Sequence, residues 1–165
     1  MTGTGTQADP YIVDNWPDFV TAVGTYDAYV EFPDGGGVID MNNVAPTGIP
    51  EITLACASIK GNDWIIQNLY CKGHRGLSTA YGKYVSVNKL HFLNFYFDDN
   101  GAYDSHGIML FGNSDDERQG YYFSECRFSG IANCTFQSSD AVERRNGLFR
   151  QGNFWEICRL IRCSF

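Results

Sequence analysis

The sequence is poor in charge and poorer in cations. Charged residues make up 19% of the 165 positions, below the quarter usual for globular domains, and 12 Lys and Arg face 19 Asp and Glu, for a net charge of -7. Nucleic-acid affinity rests on clustered basic side chains, so a phosphate-tracking role is excluded and no nucleic-acid partner is expected. No uninterrupted apolar run approaches the roughly 18 residues of a membrane helix, so no membrane insertion is expected. No basic residue followed by an apolar stretch opens the chain, so a secretory signal is not expected either. The six cysteines, at 56, 71, 126, 134, 158 and 163, include no tight CxxC pair. Reduced, buried thiols are therefore the default expectation. Cys71 and His74 in "CKGH" form half a zinc set with no second pair of matching spacing, so no metal or cofactor is expected.

Helix signals are scarce too. The best stretch is "NWPDFVTAV" (15–23): Asn15 can cap, Pro17 suits a first turn, Asp18 complements the dipole, and Trp16, Phe19, Val20 and Val23 recur near the helical period. Gly24 would end it.

What is abundant is the material of short strands. Apolar residues reach 44%, aromatics 15%, and 18 glycines punctuate the chain, enough for one domain with a real core. Strands are predicted at 29–32, 37–41, 52–54, 64–67, 84–87, 90–93, 108–111, 121–123 and 154–157. The stretches "WIIQNLYCKG", "VSVNKLHFLNF", "YYFSECRFSG", "GIANCTFQ" and "WEICRLIRCSF" share a grammar of apolar strand, polar step and an inward Cys, Phe or Leu, with the units starting at Trp64 and Val85 about one repeat apart. Units of 20 to 50 residues that cannot bury their own faces mark stacked coils. A β-sandwich has similar strand density. Asn68, Asn88, Asn94 and Asn133 favour the stack, because asparagine tolerates left-handed backbone and can form ladders between equivalent positions.

"GTGTQADPYIV", "NWPDFVTAV" and "YVEFPDGGGVIDMNN", together spanning 3–43, carry a more specific signal. They resemble the amino-terminal segment of right-handed parallel β-helix proteins of the pectin-lyase-like class, closest to those of bacteriophage virions and bacterial surfaces. The resemblance implies an all-β fold, a right-handed single-stranded parallel β-helix, with residues 1–28 forming a lead-in strand and capping helix and residues 29–165 the rungs. Trp16, Phe19 and Val23 would cover the open end of the solenoid. The terminal "CRLIRCSF" has no matching lid, so a partner subunit or further chain is expected to cover it.

The pectin-lyase-like class includes polysaccharide lyases and glycoside hydrolases, so carboxylates come next. Asp98 and Asp99 in "FDDNG", Asp104, His106, Asp115 and Asp116 form the dense acidic group. Inverting glycosidases need carboxyls about 6.5 to 9.5 Å apart. The Asn-Thr-Asp and Arg-Ile-Lys steps of polygalacturonase-like sites are missing, and nothing fixes Arg118, Arg144 or Arg145 beside the acids as a lyase base. If the chain is an enzyme, Asp98, Asp99 and His106 are the residues to test; otherwise these are solvated turn acids, or Asp98, Asn100 and Asp104 hold a structural Ca²⁺. Tyr81, Tyr84, Tyr96, Tyr103 and Tyr121 are candidate glycan contacts, with half-buried strand filling as the alternative.

The function expected from the resemblance is a non-enzymatic virion structural protein of a bacteriophage: a fibre, spike or capsid-decorating component assembled in the host cytoplasm. Its expected partners are other virion proteins, further copies of itself (a trimer is the reasonable guess) and host surface polysaccharide. A carbohydrate-active enzyme and a bacterial cell-surface adhesin module are the alternatives.

Overall fold

The computed structural model describes the backbone of residues 1–42, 52–72, 77–79, 84–94, 96–98, 109–112, 120–129, 135–138 and 158–161, and side chains within 1–42, 54–69, 85–94 and 123–127. Among the described residues the chain is all-β apart from one helix. Its elements run β1 (Tyr11–Ile12), α1 (Trp16–Val23), β2 (Tyr29–Glu31), β3 (Val38–Asp40), β4 (Ile52–Leu54), β5 (Ser58–Gln67), β6 (Tyr70–Lys72) and β7 (Leu77–Thr79). They continue as β8 (Tyr84–Leu93), β9 (Tyr96–Asp98), β10 (Met109–Gly112), β11 (Gly120–Ser124), β12 (Phe128–Ser129), β13 (Thr135–Ser138) and β14 (Cys158–Ile161).

The strand pairings within these sheets are parallel. The longest sheet runs β1-β2-β5-β8-β11-β14, with β3 on β5 and β12 on β8; a second runs β4-β7-β10-β13; β6 and β9 make a third. Parallel neighbours need a long crossover. The chain supplies it by visiting the sheets in rotation: β5, β6 and β7, then β8, β9 and β10, each strand lying beside its counterpart one circuit earlier. Among the described residues no helix is long and apolar enough to cross a membrane.

The long strands bend. Lys89, within β8, has φ 49, and Asn62 and Asp63, within β5, have φ 50 and 64. The left-handed residues redirect the chain and interrupt the ladder, the β5–β8 register shifting between Lys60 and Trp64 before pairing resumes, so the first half of β8 pairs with β11 and its second half with β12. The register reads Ile59–Val87–Phe123 before the bend and Ile39–Ile66–Phe92–Phe128 after it. The repeat is therefore offset from the expected one. Trp64 pairs with Leu90 rather than matching Val85, and Val85 pairs with Tyr121. The apolar grammar recurs on both sides of the bend, so Trp64, after the bend in β5, and Val85, before the bend in β8, imitate a repeat although Val85 lies 5 residues short of the register that pairs Trp64 with Leu90. The bend also closes the distance between turns: a β-carbon on Gly61 would lie 2.3 Å from the Lys89 carbonyl oxygen and 2.6 Å from Leu90 Cα.

Buried positions follow the register. Val30, Ile59, Val87 and Phe123 are at most 2% exposed, and Ile66, Leu69 and Leu90 are fully buried. Stacking like residues one above another gives a continuous apolar column. The helix joins it. Asn15 caps α1 by accepting the Asp18 N–H at 3.0 Å, and Trp16, Phe19, Ala22 and Val23 are buried in the common core. Ring centroids step from Trp16 to Phe19 (5.7 Å), Phe32 (5.7 Å) and Trp64 (5.3 Å). The Val23 carbonyl accepts the N–H groups of Ala55 (2.8 Å) and Cys56 (3.1 Å), satisfying the helix end. Gly24 closes α1 with right-handed φ -77, so the left-handed closure glycine often supplies is absent at that position.

At the amino-terminal edge of the longest sheet, Thr2 exchanges backbone hydrogen bonds with Ile12, 3.3 and 2.9 Å long. An open parallel edge recruits other chains; on the β1 side this short antiparallel bridge occupies it.

Candidate binding groove

Of the residues singled out in the sequence, Trp16, Phe19 and Val23 come together in the core under α1. Asp98 closes β9 in register with Lys72, Tyr96 opens it in register with Tyr70, and Cys71 lies in register with Phe97. Tyr84 opens β8 opposite Gly120, and Tyr121 stands in β11 between Val85 and Cys158. Tyr81, Asp99, Asn100, Tyr103, Asp104, His106, Asp115, Asp116, Arg118, Asn133, Arg144, Arg145, His74 and the strand expected at 154–157 lie outside the described residues.

The asparagine corners take the form the sequence implies. Asn68 and Asn94 hold φ 56 and 54. The Asn68 amide donates to Asp40 Oδ1 (2.9 Å), 28 residues earlier, and the Asn94 amide donates to Asn68 Oδ1 (3.2 Å), 26 residues earlier. Asp40 also accepts the Asn42 N–H (2.8 Å) and the Gln67 amide (2.6 Å). Donation from Asn68, then from Asn42 and Gln67, holds the Asp40 carboxyl below the usual range. Asn88 plays a different part: it sits inside β8 and donates to Ser124 Oγ at 2.9 Å.

A second line of contacts follows the bend. Lys60 bonds Glu31 at 2.6 Å, and Asn62 donates to the Phe32 carbonyl (2.6 Å) and to Glu31 (3.2 Å). The Lys60 ammonium, with Asn62, keeps Glu31 below its ordinary value, and Glu31 raises Lys60 in turn. His91 Nδ1 accepts the Arg127 N–H (3.1 Å), which leaves the proton on Nε2, 3.6 Å from Asp63 Oδ1. The Nδ1 bond ties His91 to the backbone that leads into β12. Among the described residues no three His, Cys, Asp or Glu side chains gather as a metal site would require.

A concave feature among the described residues lies elsewhere, between the opening loop and the turn after α1. It is an open groove of about 400 Å³, lined by Thr4, Gly5, Thr6 and Gln7 on one side and by Thr25 to Tyr29 with Tyr11 on the other. Its walls are set by backbone. Thr4 and Thr6 both donate their N–H to the Asp9 carbonyl (3.1 and 3.2 Å), and the Tyr29 N–H reaches the Gly5 carbonyl at 2.9 Å. Gly5 has φ 77, and a β-carbon there would come within 2.5 Å of the Tyr11 ring, so only glycine lets the loop lie against that ring. Across the groove Asp27 adopts φ 59 and donates its N–H to the Ala55 carbonyl (3.0 Å), anchoring the turn that carries Tyr26. Tyr26 is 63% exposed. Sequence reasoning read 1–28 as a lid and looked for aromatics further on. The one local sign was the pairing of "GTGTQ" with "TYDAY", polar loop and aromatic turn, which the register of β1 on β2 brings together.

No protein-family model, no curated protein and no solved structure matches the chain.

Proposed function

We propose that the chain is a right-handed single-stranded parallel β-helix capped by α1, and that it serves as a non-enzymatic structural component of a bacteriophage virion presenting a surface to host glycans. The observation that carries the fold reading is the unbroken parallel register from Ile39 through Ile66 and Phe92 to Phe128, with strands taken up in rotation. Parallel crossovers are right-handed in about 98% of cases, which supplies the hand. The packing of Trp16, Phe19 and Val23 on the same core supports α1 as the cap. The virion setting rests on the resemblance of residues 3–43, since a fold hosts many functions.

The test is the mass of the purified protein by light scattering, run beside assays for reducing ends and unsaturated uronides on acidic polysaccharides. A stable oligomer without cleavage is the expected result. A monomer that cleaves, and stops cleaving as Asp98→Asn, Asp99→Asn or His106→Ala, would replace the structural role with that of a carbohydrate-active enzyme.

A further inference from the structure

We propose that the groove between the opening loop and the turn after α1 is a binding site for a neutral saccharide. The assignment rests on the glycan-display reading for where the sugar comes from, while the site itself stands on its own geometry. Recognition of a pyranose needs a flat aromatic surface for the C–H face and hydrogen-bonding groups at its edge. Tyr26, 63% exposed, supplies the surface, with Tyr11 and Tyr29 half-buried beside it. The edge is supplied by Thr4 and Thr6, whose hydroxyls lie 3.4 Å apart, and by the Gln7 amide. The pair is held in place because Thr6 Oγ1 accepts the Asp9 N–H at 3.2 Å. Such hydroxyls are oriented before a ligand arrives, which lowers the ordering cost of binding.

The lining also decides against other ligands. Among the described residues it is lined by no Lys or Arg and by one carboxylate residue, Asp27, in a chain of net charge -7. Uronates, sulfated sugars and phosphates would meet repulsion from the net negative charge of the chain. A peptide adding itself as a strand needs unpaired backbone donors. The N–H groups of Thr4, Thr6, Asp27, Ala28 and Tyr29 are all spent on carbonyls of the fold. Side chains therefore carry the recognition, and a volume near 400 Å³ suits a short oligosaccharide rather than a protein surface.

The experiment is a titration of the full chain with neutral oligosaccharides of glucose, galactose and N-acetylglucosamine, and with oligogalacturonate, read by calorimetry and by ligand-observed NMR. Binding of at least one neutral sugar, weakened about tenfold or more by Tyr26→Ala and by Gln7→Ala with an unchanged melting temperature, is the expected result. Binding that survives both substitutions but is lost as Tyr81→Ala or Tyr103→Ala would overturn the groove and leave glycan display intact. Preference for oligogalacturonate would overturn the neutral specificity. No binding to any probe would overturn the site altogether, while the oligomeric mass and lack of cleavage would still uphold the structural reading.

Discussion

Eight non-glycine residues among those described have positive φ, and the residue type at each sets what it costs. Six are Asn or Asp, whose short side chains tolerate this region; Lys89 and Glu125 are not, and a side chain with a full Cβ environment loses roughly 1–2 kcal/mol there. Their mutual ion pair, at 3.9 Å with both side chains more than a third exposed or nearly so, recovers little of that. Lys89→Asn should therefore stabilise the protein by about 0.5–1 kcal/mol in urea unfolding. Asn68 is the opposite case, combining a favourable left-handed residue with two ladder bonds. Asn68→Ala should cost about 2 kcal/mol, and Asn68→Gly about 1, because glycine restores the backbone but not the ladder. Equal losses for the two would mean that backbone conformation contributes nothing. Acid titration checks the neighbouring corner. Glu31 has a depressed value, so its contribution is complete above the unfolded carboxyl value of roughly 4.3 and is lost as pH falls through the lower folded one. Lys60 is raised, so its share persists below roughly 10.4 and is lost only as pH rises through the higher folded value. The melting-temperature gap between the parent and Glu31→Gln should thus stay level from about pH 5 to 10 and shrink below pH 4.

At the scale of the element, legibility tracked how local the governing interactions are. The helix was readable to within a residue because its cap, first-turn proline and apolar spacing all lie inside 15–23. The short strands β2, β3, β4, β10 and β11 were readable from their apolar runs, and so were the corners at Asn68 and Asn94, whose side-chain chemistry announces the backbone they occupy; β6, β7, β9, β12, β13 and β14 were not among the predicted strands. The extension of 64–67 back to Ser58 and the joining of 84–87 with 90–93 into one bent strand were not readable, because the left-handed residues at Asn62, Asp63 and Lys89 redirect the chain within a strand that resumes pairing beyond them. The groove was hidden too. It depends on β1 lying beside β2, a contact between segments with no shared pattern. The energetic weight of α1 follows from its packing. Phe19, 2% exposed, touches the rings of Trp16 and Phe32, so Phe19→Ala should cost about 3–5 kcal/mol, and Asn15→Ala about 1. Gly61→Ala tests the spacing between turns: with backbone atoms of Lys89 and Leu90 in the way, it should cost about 3 kcal/mol although it adds one methyl group. Thermal melts of the three variants, with circular dichroism to confirm folding, would rank them Phe19, Gly61, Asn15.

For the whole molecule, the decisive property is that most strands of the longest sheet pair only with the strand before and the strand after along it. β8 lies between β5 and β11, and the apolar column passes through all three. In the proposed solenoid stability would approximate a sum of nearest-neighbour interfaces, so damage at one level should fade with distance along the axis instead of lowering every protection factor alike. Ile66 is the place to cause the damage: fully buried in β5, it pairs with Ile39 on one side and Phe92 on the other. Ile66→Ala removes roughly 2–5 kcal/mol of packing. In native-state hydrogen exchange, amides of β3, β5 and the second half of β8 should lose most of their protection, while those of β11 and β14, two and three strands along the sheet from β5, should lose distinctly less. A uniform loss across all protected amides would instead describe a single cooperative globule and would count against the solenoid. The gradient bears on function as well, because a stack that frays level by level is held rigid at its ends only by what covers them. In the proposed solenoid α1, packed on the core, and the Thr2–Ile12 bridge would cover the first end, and the groove built from the same segments should therefore keep its shape even when the middle of the stack is weakened by Ile66→Ala.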